Sequence, residues 1–329
     1  MKPLYYSIYG PLIIEYIAMK RGLGYRYNNI EYSYTQFDRL VSQRDETTIG
    51  LSKELCDQWC AKRPNESDKG WYVRIRHVRQ FSSYLITLGY TSFLPRLPKT
   101  RSTYTPYIYS EGEIASIFKS ADDLKTNFMC NNSMVLIIPC LIRLLYGSGI
   151  RLSEALTLSR KDVDIDDRVI TLRHTKNGTD RLVPISASLA QVIKDYLDAR
   201  EHFPIRRSTN LLFVHPNGLS CYPTSAYRWF RKILAAANIP FIGNHQGPHL
   251  HDLRHTFSVH SLAKMAESGI DLYHSLPILS TYLGHSSISS TNDYVRLTSE
   301  MYPSILSKVN NICPYLFPTV YEDTNNENS

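Results

Sequence analysis

Val163-Asp164-Ile165-Asp166-Asp167-Arg168-Val169-Ile170-Thr171-Leu172-Arg173-His174-Thr175-Lys176-Asn177-Gly178-Thr179-Asp180-Arg181-Leu182-Val183-Pro184-Ile185 is the one stretch of this chain that reads as sheet. Two turn signals, Asp166-Asp167 and Asn177-Gly178, divide it into the runs Val163–Ile165, Val169–Thr175 and Arg181–Ile185. Asn-Gly between alternating runs is a strong hairpin signal, because the tight turn needs positive φ at both central positions. The other periodic segments read as helix, with apolar residues recurring every three or four positions. They are Leu12–Lys20, Trp71–Leu88, Glu113–Ser120, Met134–Tyr146, Leu152–Ser159, Leu189–Arg200, Ser225–Ala237, Leu250–Ser268, Leu276–Leu283 and Ile288–Val295. The fold class this predicts is mainly α with a small three-stranded antiparallel sheet.

The 329 residues are 43% hydrophobic and 20% charged, which excludes a fibre or a disordered chain and allows about two domains. The densest apolar stretch, Met134–Leu145, is broken by Pro139 and Arg143 and is too short to cross a bilayer. The segment Met1–Tyr6 soon reaches Glu15 without a small-residue cleavage site, so a cytoplasmic protein without a secretory signal is expected. The six cysteines form no Cys-x-x-Cys pair. Reduced thiols are expected, with Cys56 and Cys60 sharing one helix face.

Charge is unevenly spread. Residues 1–101 hold 16 Lys and Arg against 9 Asp and Glu, whereas residues 102–329 hold 21 of each. A basic first part joined to a neutral second part suits a polyanion clamp beside a unit with local chemistry, and equally a solvated basic face. The helix Trp71–Leu88 carries Arg74, Arg76 and Arg79 beside its apolar stripe, and Arg96, Lys99 and Arg101 follow in a proline-interrupted basic segment. These six are the candidate contacts to the phosphates of a polyanion. Ser110, with Glu113 three residues on, reads as a capping box that opens a new domain. The boundaries expected are 1–98 for a helical domain, 99–110 for a linker, 111–312 for the second domain and 313–329 for a tail. The tail turns acidic and Asn-rich from Glu322.

Four places in the second domain carry chemistry. Arg151 follows Gly147-Ser148-Gly149 at a helix start, where a guanidinium fork beside free backbone N–H groups suits a phosphate. Lys176 sits at the hairpin tip and fits a proton donor reaching into a groove. In Pro248-His249-Leu250-His251-Asp252-Leu253-Arg254-His255-Thr256-Phe257, His251, Arg254 and His255 share a helix side. That run fits either half of a zinc site or an acid/base and anion-clamp pair. Leu283-Gly284-His285 is followed nine residues after the histidine by Tyr294. A phenol becomes a nucleophile only where cations stabilise its oxyanion.

In this order the motifs resemble the tyrosine recombinase (phage integrase) family. The resemblance lies in Gly149-Ile150-Arg151-Leu152-Ser153-Glu154-Ala155-Leu156, Lys176 before Arg181-Leu182-Val183-Pro184, His251-x-Leu253-Arg254-His255-Thr256-Phe257, and Leu283-Gly284-His285 with Tyr294. It covers the whole second domain, and the basic first domain is similar to the family's helical core-DNA-binding (SAM-like) domain. The resemblance implies a site-specific DNA recombinase that cleaves and rejoins strands through a 3′-phosphotyrosyl intermediate, without metal, ATP or other cofactor. Tyr294 is then the nucleophile, Arg151, Arg254 and His285 hold the phosphate oxygens, Lys176 is the general acid and His251 accepts the tyrosine's proton. Glu154 and His255 are supports. The partners implied are double-stranded DNA, further copies in a tetramer on DNA, and accessory recombinases or directionality factors, with no membrane and a nucleoid location. With nothing read as an extra module ahead of the core-binding domain, an arm-site-binding integrase is disfavoured.

Three other readings compete. A type IB topoisomerase shares the chemistry, and a non-catalytic DNA-binding protein leaves the catalytic set idle. A zinc hydrolase using His251 and His255 lacks a third ligand and gives Arg254 and Tyr294 nothing to do. Two departures from the family pattern stand out. Asn177 follows Lys176 where glycine is common, and the stretch from His255 to His285 is long, which predicts a loop before Leu276. Tyr282 is a rival to Tyr294, expected to pack.

Overall fold

The computed structural model describes residues 5–25, 27, 30–99, 105–125, 133–173, 175, 180–202, 205, 209–242, 247–285, 294, 296–298 and 302. The chain divides into two compact units, Met1–Thr103 and Tyr104–Ser329. Ile288–Val295 as a helix, the tip residues Lys176 to Thr179, Arg101, Cys130, Cys313 and the tail from Glu322 lie wholly or mostly outside the described residues.

The first unit contains α1 (Gly10–Gly22), α2 (Ile30–Gln43), α3 (Lys53–Cys60) and α4 (Asp68–Thr87). Aromatic side chains fill its centre. Tyr9, Tyr16, Tyr34, Phe37, Trp59 and Phe81 are all buried. Phe37 meets Trp59 edge-on at 5.2 Å between centroids, and Tyr9 meets Phe81 the same way at 6.0 Å, the geometry aromatic quadrupoles prefer. Buried Asp38 on α2 accepts the backbone N–H groups of Tyr6 at 2.7 Å and Ser7 at 3.0 Å, which fixes the entry into α1. On α4, capped by Ser67 at Gly70 N, the stripe Ile75, Val78, Phe81 and Leu85 faces inward as its spacing predicts. Gly89 follows in the left-handed region at φ 91°.

Arg74 departs from expectation. It is buried, with Nε and Nη2 on the Glu66 carboxylate at 2.7 and 2.6 Å and further bonds to the carbonyls of Trp59 and Ala61. Its donors are spent inside the unit, so it is withdrawn as a phosphate contact. Arg79 is partly covered and donates to Pro95 O at 2.5 Å. Arg76, Arg96 and Lys99 are exposed.

The second unit opens with α5 (Glu111–Asp122), where both halves of the Ser110/Glu113 capping box form. Its axis is α6 (Ile138–Ser148), buried at Ile138, Cys140, Leu141, Ile142, Leu144 and Leu145. Around α6 pack α5, α7 (Leu152–Thr157), α8 (Ala187–Glu201), α9 (Pro223–Ala236) and α10 (Asp252–Glu267). The helix begins at Ile138, not at Met134, because Pro139 lacks an N–H and suits a helix's first turn.

The sheet is β1 (Val163–Asp164), β2 (Val169–Leu172) and β3 (Arg181–Pro184), antiparallel in the order β1-β2-β3. Ile170 lies opposite Val183 and Leu172 opposite Arg181. Ile170, Leu172 and Val183 are buried, with less buried residues between them, the two-residue alternation of a one-sided sheet.

After α10 the chain turns through Ser268–Asp271 into α11 (Leu272–Leu283). The loop expected before Leu276 is thus the short turn Ser268–Asp271, and α11 begins four residues earlier than the helix read from Leu276. Ser275 N–H and its hydroxyl both bond Asp271 O at 3.0 Å, so a helical turn precedes Pro277. Leu276, Leu279 and Leu283 then bury against Val259, Leu262 and Ala263 of α10.

Gly149, after α6, has φ +59°, and a Cβ there would lie 2.3 Å from Phe257 Cδ1. Gly149→Ala therefore meets both left-handed strain of about 1–2 kcal/mol and overlap with a packed ring. We expect it to lower stability by at least that amount, read as a fall in the denaturant midpoint; an unchanged midpoint would contradict the packing described.

Candidate active site

The left-handed Gly149 ends α6, sends Ile150 into the core and leaves Arg151 capping α7 in an extended conformation. Arg151 N–H donates to Glu154 Oε2 at 2.9 Å, and its Nη1 to Glu154 Oε1 at 2.9 Å. The same carboxylate takes Arg181 Nη1 at 3.1 Å and Nη2 at 2.9 Å. Burial alone would raise the Glu154 pKa, but the bonds from Arg181 and Arg151 outweigh it and hold the group ionised below the usual range. Arg181 Nε also donates to Tyr282 O at 3.1 Å. Close by, Gly284 leaves room for the guanidinium; a Cβ there would lie 2.9 Å from Arg181 Nη1.

From α10, Arg254 reaches across the unit. Its Nη1 donates to Gly149 O at 2.6 Å, and its Nη2 to Leu283 O at 2.8 Å and to His285 Nε2 at 3.1 Å. Because His285 Nε2 accepts, its proton is assigned to Nδ1. Burial, then the nearby Arg151, push the Arg254 pKa down to about 10, which leaves it charged at neutral pH.

Tyr294 is 4% exposed and lies among these groups. Its hydroxyl is 3.0 Å from His255 Nδ1, and its ring stacks on His285 at 6.1 Å. Burial raises its pKa, while Arg254, a bond from Ser258 and Arg151 pull it back. His251 packs edge-on against His255 at 5.0 Å. All three imidazoles are held neutral. Burial and then Arg254 and Arg151 push His251 to about 4, although the residue keeps an exposed edge. Burial with His251, Arg254 and His285 takes His255 to about 3, and burial with Arg254, Arg151 and Arg181 takes His285 to about 4.

Five of the six residues expected to act, Arg151, His251, Arg254, His285 and Tyr294, are thus gathered with Glu154 and His255. Lys176 lies outside the described residues. The phenol's hydrogen-bond neighbour is His255, placed from sequence among the supports, while His251, read as the proton acceptor, packs on the ring of His255. Tyr282 packs as expected, stacked on Phe257 at 5.5 Å with its hydroxyl on Pro184 O at 3.1 Å. Arg181 was missed as a site residue, although its signal is present: it shares a strand face with buried Val183. No group of three His, Cys, Asp or Glu able to hold a metal occurs among the described residues, and His251 and His255 meet edge to face. The described cysteines, Cys56, Cys60, Cys140 and Cys221, are free. No described helix is long and apolar enough to cross a membrane.

This arrangement can hold a phosphodiester. Arg254 has five N–H donors, three of them directed to Gly149, Leu283 and His285, and Arg151 is the more open guanidinium at 21% side-chain exposure. Two cations beside a buried phenol are what a pentacoordinate phosphorus with an aryloxide nucleophile requires.

Residues 112–301 match the model of the phage integrase family. The chain is 31% identical over 308 residues to y4rB of Sinorhizobium fredii (strain NBRC 101917 / NGR234), named as an integrase/recombinase, covering 92% of this chain and 97% of that protein. It is 31% identical over 173 residues to the tyrosine recombinase XerA of Pyrococcus furiosus, covering 52% of this chain and 54% of the relative. In fold it is similar to the XerH site-specific recombinase bound to a palindromic difH substrate, with TM-score 0.64 and 18% identity over 85% of this chain and 78% of that one. The Tn1549 transposon integrase in complex with circular intermediate DNA gives TM-score 0.63 and 20% identity over 85% and 93%.

Two predictions follow from the electrostatics. Glu154→Gln leaves Arg151 and Arg181 without their shared carboxylate, and we expect a loss of about 3 kcal/mol in urea unfolding at neutral pH. Full wild-type stability would contradict the shared ion pair. The three histidines titrate lower when folded than unfolded, so the unfolded chain binds more protons below its ordinary pKa of about 6.5. Their contribution is present above that pH and is lost as the pH falls toward 4. Unfolding free energy is expected to drop over that window, and less steeply in His285→Gln; identical slopes would remove His285 from the account.

Proposed function

The chain belongs to the phage integrase family and is a site-specific DNA recombinase, and from that premise we propose how its residues divide the reaction. Tyr294 Oη attacks the scissile phosphorus. The bond to the 5′-oxygen breaks and a 3′-phosphotyrosyl link forms. Rejoining reverses the exchange, and because one phosphoester replaces another, no nucleotide hydrolysis is needed. Arg151 and Arg254 take the non-bridging oxygens, each worth about 10²–10³ in rate by analogy with other preorganised donors. His285 donates from Nδ1, and Lys176 protonates the departing 5′-oxygen. What supports Lys176 is the anchoring of its hairpin: Arg181, five residues on, is bound to Glu154.

The observation that carries this reading is the phenol of Tyr294 buried beside Arg254 and in contact with His255. Residues 1–98 would form the core-DNA-binding domain, with Arg76, Arg79, Arg96, Lys99 and Arg101 along the phosphates, residues 99–110 the linker, 111–312 the catalytic domain and 313–329 the tail. Two cleaved duplexes require several protomers, so we infer a tetramer on DNA in a nucleoid location, with accessory recombinases or directionality factors as further partners. The segment Pro303–Asn310, which lies outside the described residues, is proposed either to dock on a neighbouring protomer or to pack back on its own domain; unchanged tetramer formation on DNA after truncation at Thr298 would rule out the docking.

A nicked suicide duplex, selected from randomised duplexes by covalent trapping on the wild-type chain, tests the assignment. In the presence of chelator, wild type is expected to form a covalent adduct, Tyr294→Phe none, and Arg254→Ala to form it about 10²-fold more slowly or worse. An adduct persisting in Tyr294→Phe would sink the nucleophile assignment, and loss on chelation would sink the metal-free mechanism.

A further inference from the structure

We propose that Tyr109 is a positioning residue for strand cleavage: its hydroxyl pins the turn that carries His251, and its backbone N–H pins the helix that carries Arg254. The proposal rests on the reading of Tyr294 as nucleophile, Arg254 as a phosphate ligand and His251 as acceptor of the phenolic proton. It adds what holds the last two in place.

Tyr109 stands in the stretch 99–110 that reads as a linker, yet it is fully buried and belongs to the second unit. Its ring meets Tyr107 edge-on at 5.1 Å and Phe230 of α9 at 6.4 Å. A phenol buried in this way needs an acceptor for its O–H. It finds the His249 carbonyl at 3.0 Å. Its backbone N–H donates to Thr256 Oγ1, also at 3.0 Å, and Thr256 is itself fully buried. One residue thereby holds α10 both inside its first turns and just ahead of them.

His251, Arg254 and His255 lie between those two points. His251 occupies the N-cap of α10 with φ −69° and ψ −21°, but its side chain makes no cap bond. Other groups close the turn. Asp252 Oδ2 accepts His249 N–H at 2.7 Å, and His249 O accepts Asp252 N–H at 3.1 Å in addition to the Tyr109 hydroxyl. The imidazole of His251 is left to the site, where it packs on His255. At about 100° per residue, Thr256 lies about 200° round α10 from Arg254, so Tyr109 braces the helix on the side away from the guanidinium. Arg254 is held a second time by Gly149 O and Leu283 O. Loss of the Tyr109 hydroxyl therefore acts first on His251 and on the chemical step, where a displacement of about 1 Å can cost about 10²-fold in rate, and it spares the grip on phosphate.

The test is single-turnover adduct formation on the selected suicide duplex as a function of protein concentration, for wild type, Tyr109→Phe and Tyr107→Phe. Phenylalanine keeps the ring packing and removes one hydroxyl. The hydroxyl lost in Tyr107→Phe bonds Glu113 Oε1 and not α10, so that variant controls for a phenol lost from the same segment. Thermal melting sets an assay temperature below the midpoint of all three proteins. Tyr109→Phe is expected to lower the maximal rate about tenfold or more while the half-saturating concentration stays at the wild-type value. Tyr107→Phe is expected to change neither. A wild-type maximal rate in Tyr109→Phe would overturn the proposal, as would an equal slowing in Tyr107→Phe. A raised half-saturating concentration with the maximal rate unchanged would make Tyr109 part of DNA binding and overturn it too. Absence of an adduct from wild type would overturn the nucleophile reading itself, and this proposal with it, whereas the other outcomes leave that reading standing.

Discussion

Arg254 keeps a full charge while only 3% exposed. A buried guanidinium is tolerated only where its N–H groups find acceptors. Gly149 O and Leu283 O, with His285, meet that need. One of those carbonyls ends α6 and the other ends α11, so satisfying a single side chain fixes both helix ends relative to α10. The turn before Arg151 and the turn carrying His285 are thereby set from one centre. Arg181 repeats the device, joining β3 to Glu154 and to Tyr282 O next to the same α11 turn. The geometry of the cluster is a consequence of how the unit hides two arginines.

The cost of this arrangement is electrostatic. Arg151, Arg181 and Arg254 stand close together with Glu154 as their buried counter-charge. The histidines answer by staying neutral, each held well below its ordinary pKa. With three arginines against one carboxylate, the cluster keeps an excess of positive charge.

Much of this was legible in the sequence, for identifiable reasons. The Asn177-Gly178 signal and the alternating strands gave the small sheet, and the Ser110/Glu113 box marked the start of α5 because local capping chemistry is self-contained. What failed depended on tertiary context. Arg74 lies on a basic helix edge by spacing, yet Glu66 and two carbonyls claim it. Pro277 reads as a helix start, but packing against α10 and the Asp271 carbonyl extend α11 upstream. Which of His251 and His255 touches Tyr294 is not readable from helical spacing, because the phenol comes from 39 residues beyond His255. Arg181 looked like an ordinary strand residue because its partner, Glu154, is 27 positions earlier.

The central claim is that the cluster around Arg254 delivers one particular phenol to the scissile phosphate. Tryptic digestion of a trapped protein–DNA adduct addresses it most directly, since residues 265–296 form one peptide holding Tyr273, Tyr282 and Tyr294. Fragmentation of the nucleotide-bearing peptide by mass spectrometry is expected to place the added 3′-phosphonucleotide on Tyr294. The same mass on Tyr282, on Tyr273, or on a peptide from elsewhere in the chain would contradict the account.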